Sequence, residues 1–464
     1  MPNFPVHSRR TFLQASLAAS VGWPLLGAAH PQLELPLPNQ LDGASIVRRA
    51  GLAGTARVER LGASRGGRPI DLISIGSGDR NALIVGAPHA NEPIGCLTIV
   101  RMLERFAFDR TLHDSGWQWH FIPAIDMDGI TLNQGWFRGP RTLHHYLDNF
   151  YRPPFRLQPE YSFPLEVPGY RFTAETPEST CWRQALEHVR PQLQCSLHGA
   201  DTGGSFFILS EDRPALAAEL VTLPAAHRIT LNRLGETFAD LHEFRPGAFS
   251  FPKLEDKIAR AVAAGTPPDS VWNAGDSSAG FAAKRFHTLS MTCEVPLWRD
   301  PREEDTRDSG LTLVDVISQE QAMLREDEKL LRGLLPTLRT RLTTFDEQSL
   351  AASLGDFVAS ADEWVQEIEE AKSDPIARKT LRNCDLVQYE FGAASLRNLA
   401  MARRLLPASS TDSTATAVRS LFASRLAAYS RAAKLLPVPL EQSTGLQRSA
   451  ILAATRSIHT AQSS

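Results

Sequence analysis

Three runs share one arrangement: Ala82-Leu83-Ile84-Val85-Gly86-Ala87-Pro88-His89-Ala90-Asn91-Glu92, Cys195-Ser196-Leu197-His198-Gly199 and Leu289-Ser290-Met291-Thr292-Cys293-Glu294. In each, an apolar stretch of strand character ends on an imidazole or a carboxylate. These are ligands that a catalytic zinc ion takes, three from the protein with a fourth position left to a water whose pKa falls to about 7. His89 and Glu92 lie three apart in a tight turn, so both side chains aim the same way. His198 is the best candidate for the third ligand, since it too follows an apolar run and precedes Gly199, Gly203 and Gly204, which let the backbone pass close to a bound group. Glu294 ends its own run, with Pro296 and Trp298 beyond it, where a plain core strand would not carry charge. A carboxylate there serves as base towards the water and then as acid towards a leaving amine. Each residue alone has an ordinary reading, a hydrogen-bonded core histidine or a glutamate paired with Arg285 or Arg299. Their order, strand context and flanking glycines together favour a metal centre.

The pattern resembles the zinc carboxypeptidase family: His-x-x-Glu, a distant His after a strand, and a Glu near the end of the catalytic domain. Gly62-Ala63-Ser64-Arg65-Gly66-Gly67-Arg68-Pro69-Ile70 is similar to the segment that opens many members, and Asp128-Gly129 to their Asp-Gly turn. The resemblance spans residues 55–335. It implies an α/β fold with a mixed, mostly parallel eight-stranded sheet flanked by helices, one zinc ion per chain held by His89, Glu92 and His198, and Glu294 as general acid/base. It also makes Arg138 the arginine that stabilises the oxyanion, a role that suits a planar cation. The family's Asn-Arg pair for the substrate's terminal carboxylate is altered in Asp148-Asn149-Phe150-Tyr151-Arg152. Asn149 is kept and Phe150 stands in the arginine's place; either Arg152 supplies the guanidinium from a shifted turn or the clamp is absent. Trp272 falls where the family often has a mobile tyrosine over the substrate, and an indole stacks or closes but has no acidic hydroxyl.

The elements that must position these groups read as strands alternating with helices: Asp71–Ile75, Ala82–Val85, a helix from Pro93 to about Phe106, then Trp117–Pro123. That alternation implies a parallel or mixed sheet covered on both faces, with ligands beyond the strand C-terminal ends. A helix over 178–188 leads into the His198 strand, and 211–270 reads as a variable helical insertion. After Asp308 the strand signals stop. Residues 313–342 are helical, and 347–371, 375–405, 413–435 and 440–460 follow as an all-α region. The expected divisions are 1–29 (signal peptide), 30–54 (linker or N-terminal arm), 55–343 (catalytic domain) and 344–464 (helical domain).

Ser8-Arg9-Arg10-Thr11-Phe12-Leu13-Gln14 matches the twin-arginine export pattern and precedes a modest apolar stretch, which points to a periplasmic or secreted protein. That stretch, broken by Gly22 and Pro24, is too short to span a membrane. Five cysteines without Cys-x-x-Cys spacing argue against a disulfide framework. A formal net charge of -3 over 464 residues offers no basic field, so nucleic acid is not an expected partner. The reading is an exported zinc metallopeptidase that hydrolyses an amide bond near a free carboxyl end of a peptide or peptide-like substrate. An N-acyl amino acid or murein-peptide amidohydrolase with the same zinc chemistry is the alternative, and a peptide-binding module without catalysis the third. The C-terminal helices offer a surface for a protein partner or self-association.

Overall fold

Continuous apolar runs such as Ala82–Val85 suit strands buried on both faces, because alternation is needed only where one face meets water. In the computed structural model, which describes residues 34–113, 115–235, 241–338, 341–373, 375–388, 393–407 and 409–461, they build the centre of the sheet. The export signal read in residues 1–29 lies outside the described residues.

The strands are β1 (Arg57–Ala63), β2 (Pro69–Ile75), β3 (Arg80–Gly86), β4 (Trp117–Ile122), a hairpin of β5 (Leu165–Val167) and β6 (Tyr170–Phe172), β7 (Leu193–Ala200), β8 (Phe207–Leu209), β9 (Glu243–Arg245), β10 (Ala248–Ser250) and β11 (Leu289–Pro296). Among the described residues they form a nine-stranded sheet in the order β1-β2-β4-β3-β7-β11-β8-β10-β9. The central run β4-β3-β7-β11 is parallel, and antiparallel pairs enter on both sides. The mixed α/β class is therefore as the sequence implies, with nine strands rather than eight. The short β9 and β10 lie in the 211–270 insertion, whose three-residue strands leave too little pattern to read.

Helices cover both faces. Helix α1 (Ile94–Phe106) packs on β3 and β7, while α2 (Pro177–Val189) and α3 (Ser278–Phe286) meet Gln194 of β7, through the Trp182 indole at 3.2 Å and the Ser278 hydroxyl at 3.1 Å. Helix α1 lies close because Gly95 has no side chain: a Cβ there would stand 2.6 Å from the Leu197 carbonyl. Residues 35–52 pack inward through Leu35, Leu41, Ile46 and Leu52, each at most 4% exposed.

The later helices are α4 (Leu313–Leu338), α5 (Phe345–Ala359), α6 (Ala361–Ser373), α7 (Ala393–Leu405), α8 (Ser413–Ala432) and α9 (Leu440–Ala461). Helix α4 packs against α5, α6, α7 and α8, whereas α9 leaves that group and lies on α1, β7 and β11. Gln447, fully buried in α9, accepts from the Thr98 hydroxyl at 2.6 Å and donates to the carbonyls of His198 at 2.8 Å and Cys293 at 3.4 Å. The helix expected over 375–405 is interrupted, since Thr380–Arg382 pairs with Asp308–Thr312. That partner lies too far back in the chain for a local pattern to reveal. The five cysteines are all free and buried. Among the described residues, no helix is long and apolar enough to cross a membrane.

His120 of β4 is held between the Ser74 hydroxyl on Nδ1 at 2.9 Å and Asn81 Oδ1 on Nε2 at 3.2 Å. Burial, with His188 and Arg57 nearby, lowers its pKa to about 4. Between an unfolded value near 6.5 and the folded one, unfolding takes up a proton, so stability falls as the pH drops through that window. Parent protein is expected to lose about 2 kcal/mol more than His120→Gln between pH 7 and pH 4.5, as read from denaturant unfolding curves at the two pH values.

Candidate metal centre

The register of the central strands sets the site. Glu294 of β11 stands directly beside His198 of β7, and Gly86 at the end of β3 stands beside Leu197. Beyond Gly86 the chain turns at Ala87, whose φ of 49° lies in the left-handed region, sparsely used by residues with a side chain. The Glu92 N–H then donates to the His89 carbonyl at 3.2 Å, which closes the turn and brings the two side chains together. Three strand ends thus deliver four groups to one place.

His89, Glu92 and His198 are all buried, and one ligand atom from each lies within 4.8 Å of the others. His89 Nδ1 is 2.8 Å from Glu92 Oε1, and His198 Nδ1 is 3.2 Å from Glu92 Oε2 and 3.6 Å from Glu294 Oε1. The imidazole rings meet edge to face at 4.7 Å. Among the described residues the buried Nε2 of His89 has no hydrogen-bond partner, and Nδ1 of His198, although close to Glu92 and Glu294, makes no hydrogen bond of good geometry. Buried polar atoms are nearly always satisfied. Orphaned imidazole nitrogens beside carboxylates fit a bound cation.

The electrostatics agree. Burial, reinforced by the Arg152 cation, lowers the His89 pKa to about 4 and leaves the neutral ring that a metal requires. Burial pushes the Glu92 carboxyl up, but His89 and His198 outweigh it and hold it well below the usual carboxylate range. Burial disfavours charge on His198, yet Glu160, Glu92 and Glu294 around it raise its pKa well above the ordinary imidazole value. Three carboxylates about one imidazole call for positive charge, and a divalent ion would supply it.

Glu160 has no counterpart among the residues the sequence singled out. It sits in the 3-10 turn Pro159–Tyr161, 3% exposed, with Oε2 3.6 Å from His198 Nε2 and 2.9 Å from the Ser196 hydroxyl. The Ser278 hydroxyl donates to its other oxygen. A carboxylate behind a ligating imidazole fixes the ring and its tautomer. Ser196, two residues before His198 on the same strand face, was the available signal; the 126–168 stretch reads as loop and conceals the acid.

Of the remaining candidates, Arg152 and Trp272 line the cavity over the metal centre and Arg138 and Asn149 do not. Arg152 Nη1 lies 3.3 Å from Glu92 Oε1 and 3.5 Å from Asn91 Oδ1, so it is the cation beside the cluster. Arg138, which the resemblance makes the oxyanion arginine, is engaged elsewhere. Its guanidinium binds the Leu35 carbonyl, Glu34 at 3.1 Å and Gln40 at 3.4 Å, acceptors from the N-terminal segment that spacing alone does not bring into view. Asn149 caps the helix Leu143–Asp148 and donates to the His145 carbonyl at 3.0 Å, which occupies its amide locally. Trp272 donates to the Gly275 carbonyl at 3.0 Å and packs edge-on against Phe155 at 5.2 Å. The phenol that Trp272 lacks is present in Tyr161, whose ring lies 5.9 Å from that of His89.

No protein-family model matches the chain, and no curated protein matches its sequence. Among solved structures it is similar to a metallo-carboxypeptidase from Burkholderia cenocepacia, at 16% identity over 55% of this chain and 59% of that one, with a TM-score of 0.30. Carboxypeptidase A from Helicoverpa armigera gives 14% identity over 57% of this chain and 66% of that one, with a TM-score of 0.36. Bovine thrombin-activatable fibrinolysis inhibitor gives 13% identity over 57% and 87%, with a TM-score of 0.37. The first two matches take in less than two thirds of the other protein.

If Glu160 fixes His198, Glu160→Gln is expected to weaken metal binding about 10- to 100-fold while the metal-free melting temperature stays near that of the parent. Chelator competition against zinc measures the affinity, and equal values for the two proteins would leave Glu160 no part in holding the ligand.

Proposed function

We propose that this chain is a zinc-dependent metallopeptidase that hydrolyses an amide bond near a free carboxyl terminus. The observation that carries the reading is the pairing of Glu294 with His198 across adjacent strands, which sets a fourth acidic or basic group beside the three-residue cluster. Nitrogen and oxygen donors from three side chains suit zinc with an open position. His89, Glu92 and His198 would hold the ion, which when bound acidifies a water and polarises a carbonyl.

The rest belongs to the chain's own residues. Glu294 takes a proton from the attacking water as the new C–O bond forms, and returns it to the amine nitrogen as the C–N bond breaks. Arg152 stands next to Glu92 and so near the place where negative charge grows on the carbonyl oxygen; a fixed guanidinium there stabilises that charge. Trp272 and Tyr161 supply aromatic wall. The Ser8-Arg9-Arg10 pattern supports action outside the cytoplasm.

N-blocked dipeptides with free carboxyl ends are the test substrates, with an N-acyl amino acid and a murein tripeptide in parallel. Zinc-loaded protein is expected to cleave the dipeptides and to stop when a chelator removes the ion. Glu294→Gln should lower kcat about 10²- to 10⁴-fold with metal retained, and Arg152→Ala should lower kcat/KM about 10²- to 10³-fold. Arg138→Ala should stay within a few-fold of the parent. Turnover of the acyl amino acid alone would remove the peptidase assignment.

A further inference from the structure

The cavity over the metal centre is not built by the sheet and its loops alone. Leu324 of α4, Trp364 and Ile368 of α6 and Arg397 of α7 line it together with the metal cluster and Glu294. Its volume is about 450 Å³, within the roughly 300–1,000 Å³ of pockets that enclose a small organic ligand.

The wall is pinned. Arg397 donates to Asp201 Oδ2 at 2.6 Å; Asp201 Oδ1 accepts from the Tyr146 hydroxyl at 2.9 Å, and that hydroxyl accepts from Asn91 at 3.0 Å, between the two ligands His89 and Glu92. Arg404, one residue before the end of α7, donates to the carbonyls of Asn149, Phe150 and Leu132. The Ser353 hydroxyl of α5 donates to the Arg152 carbonyl at 2.7 Å. Helices α5 and α7 therefore grip the segment that carries Arg152, and α7 reaches the turn that carries His89 and Glu92.

Two polar atoms of lining residues have no hydrogen-bond partner among the described residues. The indole N–H of Trp364 is buried and without a hydrogen-bond partner, although its ring is fixed by stacking on Phe357 at 5.8 Å and by the Arg325 guanidinium 5.4 Å from its centre. Thr292 Oγ1, two residues before Glu294 on β11, is buried and equally without a partner. Around them stand Phe206, Ile208, Phe251, Leu324 and Ile368. Apolar side chains over this much of the lining suit a ligand with an apolar side chain.

We propose that helices α4, α6 and α7 set the length of the substrate, so that the site takes peptides of a few residues with an apolar side chain and shuts out the ends of long or folded chains. This rests on the hydrolase reading. It gives the helical region a part in the active site rather than a separate task. Trp364 is its specificity-determining residue.

The test is a ladder of N-acetylated peptides with one shared C-terminal pair, from a dipeptide to a decapeptide, and a folded protein ending in the same pair. Zinc-loaded full-length parent is expected to show kcat/KM at least about tenfold higher on the shortest members than on the decapeptide, and no cleavage of the folded protein. Trp364→Ala should raise the decapeptide relative to the dipeptide, whereas Trp364→Phe, which keeps the ring, should retain the limit. Should Trp364→Ala fail to fold, Ile368→Ala takes its place. A parent that cleaves every length alike, or a folded Trp364→Ala with an unchanged ratio, overturns the proposal. If the parent cleaves nothing, the hydrolase reading fails, and calorimetric titration of the same ladder decides the wall separately. Binding of short members without the decapeptide supports it; binding that is absent or independent of length overturns it.

Discussion

Packing Glu92, Glu160 and Glu294 around His198 is the constraint on which the rest of the molecule depends. Buried carboxylates at this spacing repel one another and lose their hydration, so the arrangement persists only where positive charge and donated hydrogen bonds offset the cost. Arg152, the hydroxyls of Ser196 and Ser278 and the Gly199 N–H supply part of that compensation. A cation among the histidine nitrogens would meet the rest. Much of the architecture serves to keep these groups from relaxing apart: parallel strands fix β7 and β11 in register, and the turn at Ala87 cannot swing away while α1 is seated on the sheet through Gly95.

The same logic explains why the later helices reach so far into the site. Along Arg397, Asp201, Tyr146 and Asn91, each polar group satisfies the next. Burial and the Asp201 charge keep the Tyr146 hydroxyl protonated, so the direction of donation is fixed. A chain of this kind transmits position rather than charge. It holds Asn91 between the two ligands of the first turn, and through it the helical region acts on the metal centre without contacting it.

The grouping of His89, Glu92, His198 and Glu294 was legible because each follows or ends an apolar strand, and parallel strands of similar length place their ends at one level. His89, Glu92, His198 and Glu294 needed no knowledge of loops. Arg138 shows where that reasoning stops. Its place was inferred from order along the chain, but a guanidinium goes to whichever acceptors are near in space, and those came from residues 34–40. Glu160 escaped for the converse reason: it lies in an irregular segment with no period to mark which residues turn inward. Arg152 was visible as a candidate, but the pattern put it at a substrate's carboxylate and not beside Glu92. The cavity wall was out of reach, since amphipathic helices announce a buried stripe without saying what they are buried against.

Gln447 carries a consequence for the order in which the molecule is assembled. Its amide joins α9 to the main chain at His198 and at Cys293, next to Glu294, so the strand ends that bear His198 and Glu294 share a support made late in synthesis. During translation, the sheet and its first helices emerge long before residues 440–461. The nascent protein therefore carries His198 and Glu294 while the surface that α9 will cover is still open to water. The main chain at His198 and at Cys293 therefore gains its last support only when that helix is seated.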